Sequence, residues 1–297
     1  MYIVNNTVSP VGGDGQELVS HGTAAFPLVC YDCEYADIAL PWHWHDELEV
    51  NVVLEGTLSV AVGSGKYTLR AGEGVFVNSG VLHAAQNAGD GVCRVHSFVF
   101  HPRLVGGDPG SVFWQDYLSP LLAARSMEGV ALRPDVPWQR EALESFQRAD
   151  AAIREEPPGY PFLVRERVSW LLYLVSAHQL TQPQPSEKTQ RDARRVKIML
   201  QYIQAHYADN ITVEQIARSA SLSASECLRC FHATIGTAPI QYVKQLRVQQ
   251  AAVLLATTDR KVADIGAQCG FQETSYFSRV FRSVQGCSPS EYRQRLG

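Results

Sequence analysis

The apolar and polar positions of the chain follow a strand pattern in its first third and a helix pattern afterwards. Residues 27–100 contain short apolar segments, such as 49–54, 57–62 and 74–77, separated by glycine-containing turns. Short strands at regular spacing with such turns predict a β-sandwich or a small barrel. Residues 1–26 are glycine-rich and weakly patterned, which indicates a loose lead-in with room for one strand.

The middle of the chain has helical periodicity over residues 113–124, 138–155 and 162–180. The last of these segments is the most apolar, and it has more apolar surface than a small barrel can cover. This excess favours helix-to-helix pairing with another subunit. The alternative is that the helices pack on the barrel, and both arrangements can hold together.

The C-terminal region is predicted to be helical, and residues 271–282 show the pattern most clearly. Phe277, Val280 and Phe281 are spaced i, i+3 and i+4, so they form one apolar stripe of a helix. The opposite face is short, hydroxylated and cationic, with Thr274, Ser275, Ser278 and Arg279. Short polar side chains can reach base edges in a DNA major groove, and arginine pairs bidentately with guanine. For one such segment alone, an ordinary amphipathic surface helix is the simpler interpretation.

An earlier copy of the same pattern lies in residues 216–242, and this repetition favours a DNA-reading helix over an ordinary surface helix. The two copies match at Ile216 and Ile265, Ala220 and Cys269, Leu222 and Phe271, Arg229 and Arg279, Phe231 and Phe281, Gly236 and Gly286, Pro239 and Pro289, and Tyr242 and Tyr292. The repeat predicts two units of helix, tight turn, helix and glycine stop. Residues 240–256 predict a long helix between them. A rigid connector lets two reading helices enter successive major grooves, roughly 34 Å apart.

Helix starts are indicated independently by capping boxes, in which a hydroxyl residue is followed three positions later by Glu or Gln. This spacing occurs at Thr212 with Gln215, Ser223 with Glu226, and Ser288 with Glu291. Pro289 adds a proline at the first helical position of the last helix.

Residues 270–271, 275–282 and 286–293 resemble the signature of AraC/XylS-type transcription regulators. The resemblance covers residues 191–296, and it implies a DNA-binding domain of two helix-turn-helix units joined by a long helix. Leu228 departs from the family, which often has a polar base-contacting residue there, and Cys227 and Cys230 occupy core positions. The residues predicted to face DNA are Ser225, Arg229, Thr274, Ser275, Ser278 and Arg279, with Arg282 and the helix N-termini predicted to hold phosphates.

A second candidate site lies in the strand-rich region, where His43, His45 and Glu49 share parity and would share one face of a strand. With His83 from a neighbouring strand, they form a set able to bind a first-row divalent metal. The spacing of these residues, with Gly56, Gly72, Gly80 and Asn87, resembles the two motifs of cupins. The chain departs from that pattern at Asn78, where cupins usually have proline, and no glycine precedes His43 at the usual distance.

Three interpretations of this His–Glu set stay open. In the first interpretation, the set hydrogen-bonds a sugar or another polar ligand. The resemblance to AraC/XylS-type regulators implies this, because those proteins use the cupin fold as a ligand pocket, often without metal. Trp42 or Trp44 would then offer an apolar face. The second interpretation is a metal-assisted site at His43, His45, Glu49 and His83. The third is a purely structural cluster, because polar groups inside a barrel require partners.

Charge divides the chain into two parts although its net charge is only −4. From Thr189 onward there are 14 Lys and Arg against 8 Asp and Glu, a net of +6, and the rest holds 12 against 22, a net of −10. Such asymmetry indicates a nucleic-acid-binding part beside an acidic partner domain. The tail is only moderately basic, so affinity per monomer should be modest and dimerisation should raise it.

Seven cysteines include two C-x-x-C pairs, Cys30 with Cys33 and Cys227 with Cys230, in different predicted domains. This separation argues against one shared zinc site. Cys30 and Cys33 could be redox-active, but buried small hydrophobic residues are the favoured interpretation. The N-terminus has no signal-peptide pattern and the chain has no apolar run near the length of a membrane span, which predicts a reduced, cytoplasmic protein.

The predicted architecture is α+β and multidomain. A cupin-like sensor β-barrel occupies residues 1–105, and a helical packing or dimerisation segment occupies 106–180. A polar, proline-rich linker at 181–190 precedes an all-α tandem helix-turn-helix domain at 191–297.

These features together predict a homodimeric, sequence-specific DNA-binding transcription regulator, controlled by a small molecule in the cupin domain. A carbohydrate is one candidate effector, and RNA polymerase is a candidate partner. The rival is a metal-dependent cupin enzyme, an isomerase or a dioxygenase, and a metal-sensing regulator is a third class. The chain shows no evident general base beyond the candidate ligands, and a third of it resembles a DNA-binding domain, which favours the regulator.

Overall fold

The computed structural model describes residues 2–4, 16–17, 21–35, 39–124, 127–179 and 187–296. These residues form two compact units, one containing residues 21–179 and the other residues 191–296. The predicted α+β architecture, with a strand-rich N-terminal region and a helical C-terminal region, is confirmed. Most of the predicted linker, residues 181–186, and much of the predicted lead-in, residues 5–15, lie outside the described residues.

Ten strands of the described residues form two sheets in the first unit. They are β1 Tyr2–Val4, β2 Leu28–Tyr35, β3 Leu40–His43, β4 Leu48–Glu55, β5 Thr57–Val62, β6 Gly65–Arg70, β7 Gly74–Val77, β8 His83–Asn87, β9 Cys93–Phe100 and β10 Gly129–Leu132. The larger sheet has the order β1-β2-β9-β4-β7-β10, and the smaller has the order β3-β8-β5-β6. Only the β1–β2 pair is parallel among these strands.

Strand alternation divides the larger sheet into an interior face and a helix-covered face. On β9, Cys93 and Val95 pack in the interior with Val60 of the smaller sheet. Phe98 and Phe100 pack on the other face, against the helices that follow. Both faces of the sheet are therefore buried, and the odd-numbered side chains of β9 point into the interior.

The helices of the first unit cover the outer face of the larger sheet. They are α1 Arg103–Gly106, a π-helical turn Phe113–Leu118 that continues into α2 Ser119–Ala123, α3 Pro137–Glu155 and α4 Tyr160–Gln179. Phe146 of α3 stacks on Phe98 of β9 with ring centroids 4.1 Å apart. The helices predicted from periodicity are confirmed, and their buried faces pack on the sheet. None of the helices in the described part of the chain has the length and apolar content that a membrane crossing requires.

The second unit is helical, with two copies of a short helix-turn-helix around a long helix. Its helices are α5 Glu187–His206, α6 Val213–Ser219, α7 Ala224–Ile235, α8 Pro239–Thr257, α9 Val262–Gln268, α10 Thr274–Gln285 and α11 Pro289–Leu296. The three predicted capping boxes are confirmed by their backbone and side-chain hydrogen bonds. At Ser288, for example, the backbone N–H donates to Glu291 at 2.7 Å.

The repeat predicted from the sequence is visible in the packing of the two copies. Phe231 meets Tyr242 edge-on with ring centroids 5.7 Å apart, and Phe281 meets Tyr292 in the same way at 5.5 Å. Small residues lie where the helices of a copy approach closely. A Cβ on Gly266, for example, would lie 2.7 Å from the Phe277 ring. Each copy is therefore a tightly packed unit with its own aromatic pair.

Asn78, the departure from the cupin pattern, has a structural role at the edge of the barrel. Its backbone N–H donates to the Glu128 carbonyl at 2.9 Å, which proline could not do. Its buried side-chain amide donates to the carbonyls of Leu121 and Met127, each at 2.9 Å. Asn78 thereby ties the barrel to the end of α2 and the start of β10.

Candidate functional site

The first candidate site lies in the interior of the first unit, where the two sheets face each other. His43 ends β3, His45 lies in the turn after it, Glu49 is in β4, and His83 begins β8. His43 and His83 are register partners in the smaller sheet. The prediction that residues 43, 45 and 49 share the face of one strand is wrong. The chain crosses from the smaller to the larger sheet between them, so their proximity comes from the facing sheets and not from strand parity.

The four side chains are buried and converge on one point. The Nε2 atom of His45 is 3.2 Å from Oε2 of Glu49, and Nε2 of His83 is 2.9 Å from the same oxygen. The candidate ligand atoms of all four residues lie within 4.8 Å of one another. Burial by itself raises the pKa of Glu49, but His83 and His45 outweigh it and hold the pKa well below its usual range.

The outward-facing nitrogens of the three imidazoles are fixed by backbone carbonyls. Nδ1 of His43 is 2.9 Å from the Pro41 carbonyl oxygen, and the corresponding distances are 3.2 Å for His45 to the Glu47 oxygen and 2.8 Å for His83 to the Val81 oxygen. A carbonyl only accepts, so each Nδ1 must carry the proton. Nε2 of each ring is therefore the nitrogen left to bind a cation, as in histidine metal ligands with an outer-shell partner. The donor set fits a divalent metal.

The turn that holds His45 is itself held by the segment after β7. The backbone N–H of Gly80 donates to the His45 carbonyl at 2.8 Å, and the Ser79 hydroxyl donates to the Asp46 carbonyl at 2.7 Å. The turn glycine of the second cupin motif thus supports a residue of the first. Asn87 lies outside the cluster, where its side chain bonds the backbone of Gly89 and Gly91 in the next turn.

Two polar residues near the cluster were not predicted from the sequence. The Ser97 hydroxyl donates to Oε1 of Glu49 at 3.0 Å. His21 is buried with its ring centroid 5.2 Å from that of His45, and its Nδ1 is 2.9 Å from the Tyr31 hydroxyl oxygen. Ser97 could have been found from the alternation along β9. His21 gave no signal, because it lies in the weakly patterned lead-in.

An apolar wall adjoins the cluster. Val99 is the register partner of both Glu49 and Val29, and Val29, Tyr31 and Val99 form one buried group. Trp42 is buried and Trp44 is half-buried. Because neighbouring strand residues point to opposite faces, Trp42 lies on the other side of β3 from His43. The ligand contacts predicted for the two tryptophans stay predictions, and the valines form an apolar surface beside the cluster.

Cys30 and Cys33 lie on opposite faces of β2. Cys30 packs toward the helices and Cys33 toward the interior, so the strand geometry keeps their sulfur atoms apart. Burial raises the pKa of Cys33 to about 12. All seven cysteines are free, and all but the half-buried Cys33 are buried.

The second candidate site is the surface of the two repeated helices. On α10, Thr274, Ser275, Arg279 and Arg282 are exposed, and Ser278 is half-buried. On α7, Ser225 and Arg229 are exposed together with Leu228. The opposite faces carry the buried residues Cys227, Cys230, Phe231, Phe277 and Phe281. Each helix therefore presents its predicted reading face to solvent.

The cationic groups of this surface have different surroundings. The guanidinium of Arg279 lies over the Tyr276 ring, 5.5 Å from its centroid. Arg229 has an acidic neighbour, because its Nη1 is 3.7 Å from the Asp192 carboxylate. Nη2 of Arg282 in α10 is 3.4 Å from the carboxylate of Glu291 in α11. With Leu228 also exposed, α7 presents a less polar and less positive reading face than α10.

A barrel with an interior His–Glu cluster, combined in one chain with a tandem helix-turn-helix unit, is typical of a ligand-controlled transcription regulator. Residues 216–295 match the family model of a helix-turn-helix domain, and residues 36–99 match that of a cupin domain. The chain therefore combines a cupin domain with a helix-turn-helix domain of the AraC type, and its relatives are AraC-family transcription regulators.

The chain is similar to transcription regulators over most of their length. The chain is 28% identical over 284 residues to YdeC, an uncharacterised HTH-type transcriptional regulator of Bacillus subtilis (strain 168), covering 94% of this chain and 96% of YdeC. It is 27% identical over 249 residues to the arabinose operon regulatory protein of Salmonella typhimurium (strain LT2), covering 82% of each chain. It is 24% identical over 258 residues to the transcriptional activator RhaS of Escherichia coli O139:H28, covering 86% of this chain and 87% of RhaS. The chain is thus a DNA-binding regulator with an N-terminal cupin domain, and the enzyme alternative is set aside.

Proposed function

We propose that the regulator binds a divalent metal at His43, His45, Glu49 and His83, and that a small polar effector binds beside it. The observation that carries this proposal is the carbonyl bond of every Nδ1, together with the approach of the candidate ligand atoms of all four residues to within 4.8 Å of one another. Bound there, a metal would act as a Lewis acid for an oxygen atom of the effector.

The effector surface beside the cluster combines hydrogen-bonding groups with an apolar wall. Ser97, His21 and Tyr31 supply the polar groups, and Val29 and Val99 supply apolar surface. Such a mixture suits a molecule with several hydroxyl or carboxyl groups and a small apolar face. The name of one relative, the arabinose operon regulatory protein, supports a carbohydrate as one such effector.

A thermal-shift screen tests this site. Full-length protein treated with a chelator is mixed first with Zn²⁺, Mn²⁺, Fe²⁺ or Ni²⁺, and then with sugars and organic acids. A ligand at 100 times its Kd stabilises the folded state by about 2.7 kcal/mol, so a bound species raises the melting temperature. We expect stabilisation by a metal and further stabilisation by an effector.

The alternatives give different results in the same screen. An effector that stabilises the metal-free protein equally well would assign a metal-free ligand pocket. A metal that alone changes affinity for DNA would identify a metal-sensing regulator. No stabilisation by any metal or small molecule would leave the cluster structural and contradict the proposal.

The DNA surface that we propose comprises the exposed faces of α7 and α10. Base contacts are assigned to Ser225, Arg229, Thr274, Ser275, Ser278 and Arg279, and phosphate contacts to Arg282 and the helix N-termini. The exposure of these side chains supports the assignment for all but Ser278, which is half-buried. DNA binding is consistent with the cytoplasmic location that we propose. RNA polymerase stays a proposed partner, and no surface is assigned to that contact.

We also propose that an aromatic surface of the first unit pairs with a second copy of the chain. Phe113, Tyr117, Trp170 and Tyr173 are exposed around a groove of about 610 Å³. Soluble monomers rarely keep a large contiguous apolar patch in water. The groove also carries Glu141, Glu166 and Arg167, so a two-fold related copy could place opposite charges in contact.

Tyr173→Glu is expected to convert a dimer to a monomer in sedimentation equilibrium. The introduced charge would be buried without a partner, which disfavours association. Leu54→Glu is the matched control, because Leu54 is equally exposed, at 43% against 44%, but lies on β4 away from the groove. The control should remain dimeric. A wild-type mass near 32.9 kDa at micromolar concentration, or a dimeric Tyr173→Glu variant, would contradict this interface.

A further inference from the structure

Arg247 connects the two helix-turn-helix copies at a contact that the sequence does not reveal. Arg247 lies in α8, and its Nε donates to the Tyr207 carbonyl at 2.6 Å while its Nη2 donates to the Asp209 carbonyl at 2.7 Å. Residues 207–209 directly follow α5 and lead into the first copy. One guanidinium therefore holds the backbone on both sides of Ala208.

The second copy meets the same segment from the other side, through the turn between α9 and α10. A Cβ on Gly270 would lie 2.6 Å from the Ala208 carbonyl oxygen. The matching turn position of the first copy is Ser221, which adopts a left-handed φ of 56° with a side chain present. The left-handed backbone alone thus does not demand glycine at position 270. The close approach of Ala208 does.

A line of neighbouring aromatic rings and guanidinium groups leads from this contact to the reading face of α10. The guanidinium of Arg247 lies 5.8 Å from the Phe271 ring centroid, and Phe271 and Tyr276 have centroids 6.2 Å apart. Arg279 lies over the other end of this line, 5.5 Å from the Tyr276 centroid. We call the set of residues 207–209, Arg247, Gly270 and Phe271 the joint.

We propose that Arg247 is a positioning residue for two-part DNA recognition. Through the joint it fixes α10 relative to the first copy, so that the two reading helices accept two DNA boxes at one spacing only. The inference rests on the proposed DNA surface of α7 and α10. Beyond that surface, we infer that the accepted spacing between the two DNA boxes is set by the joint as well as by the length of α8.

The test measures how binding depends on box spacing. A duplex enriched from a randomised DNA library by the full-length wild-type protein supplies the two boxes. Affinity is then measured by fluorescence anisotropy on that duplex, on duplexes with base pairs inserted between the boxes, and on a duplex with only the box read by α10. Arg247→Met keeps the side-chain length and the contact with Phe271 but removes both hydrogen bonds.

We expect Arg247→Met, which loses two charged hydrogen bonds, to bind the two-box duplex at least about tenfold more weakly and to lose most of the wild-type dependence on spacing. Binding to the single box should change by less than about threefold, because α10 and its own core are intact. Arg247→Lys should restore part of the spacing dependence. Gly270→Ala, which pushes Ala208 away, should reproduce the Arg247→Met result.

Arg293→Met is the matched control. Arg293 also donates to two backbone carbonyls, those of Leu255 and Arg260, but neither carbonyl lies in the segment that leads into the first copy. Its variant should keep the spacing dependence. If Arg247→Met keeps it as well, or loses single-box and two-box binding equally, the inference is overturned. A wild-type protein that is itself indifferent to spacing would instead contradict the two-helix DNA surface, and the inference would fail with it.

Discussion

Replacing His45 by alanine is expected to remove a stoichiometric divalent metal from the purified protein. Nε2 of His45 lies 3.2 Å from Glu49, and the Nδ1 bond to the Glu47 carbonyl directs that nitrogen into the cluster. Loss of an outer-shell partner alone lowers metal affinity about 10–100-fold, so loss of a ligand should lower it further. Elemental analysis by mass spectrometry after dialysis measures the metal directly.

His96→Ala is the control for this experiment. His96 is another buried imidazole of the same unit, but it contacts Asp150 of α3 on the helix-covered face of β9. Its variant should retain the metal. A His45→Ala variant that keeps a full equivalent of metal would show that the metal binds elsewhere. A wild-type protein that contains no metal after expression and reconstitution would contradict the metal site. The negative charge of Glu49 would then be balanced by protons on the imidazoles or by an organic ligand.

Replacing Arg279 by alanine is expected to weaken specific DNA binding by about 1–3 kcal/mol, which corresponds to roughly fivefold to 150-fold in affinity. Arg279 is exposed on α10 and is held over the Tyr276 ring, so its guanidinium is already oriented when DNA arrives. Gel-shift titration on a selected operator and on the same duplex with single guanines replaced would measure both affinity and discrimination. The variant should lose preference at one base pair.

Arg282→Ala provides the comparison, because Arg282 is assigned to a phosphate and not to a base. Its loss should weaken binding to all sequences about equally and reduce the salt dependence by about one counterion. If Arg279→Ala leaves operator affinity unchanged, or behaves like Arg282→Ala, then Arg279 does not read a base. Either outcome would move the base contacts to other residues of α10.

The helical part of the fold could be predicted because its signals are local. The capping boxes, the glycine stops and the apolar stripe ending in Phe281 are short-range features, and their repetition identified the two copies. The resemblance to AraC-type regulators depended on the same residues. The α+β class and the regulator function followed from this region and from the glycine-punctuated strands before it.

For the interior site, the sequence predicted which residues come together but not how they are arranged. Parity along one strand was the reason for grouping His43, His45 and Glu49, but the chain changes sheets between them. Sequence separation hid His21, because a loop residue carries no periodicity. Val99 lies beside Glu49 because of the register between β4 and β9. This register depends on which strands pair, and no local sequence pattern specifies that.

Long-range backbone contacts were the other feature that the sequence could not supply. Arg247 is one of several polar residues on α8, and its partners are carbonyl groups, which every residue has. In the sequence Gly270 resembles an ordinary turn glycine, because its close neighbour Ala208 lies 62 residues earlier in the chain. Asn78 likewise bonds carbonyls far away in sequence, so its replacement of the usual proline had no local explanation.

The central claim is that α7 and α10 of one chain read two stretches of the same DNA face, and hydroxyl-radical footprinting tests it most directly. On a duplex selected by the full-length protein, we expect two protected tracts on one face, about 10 base pairs apart from centre to centre. Arg279→Ala should weaken protection of one tract and Arg229→Ala that of the other. A single protected tract, or protection that does not depend on sequence, would contradict the claim.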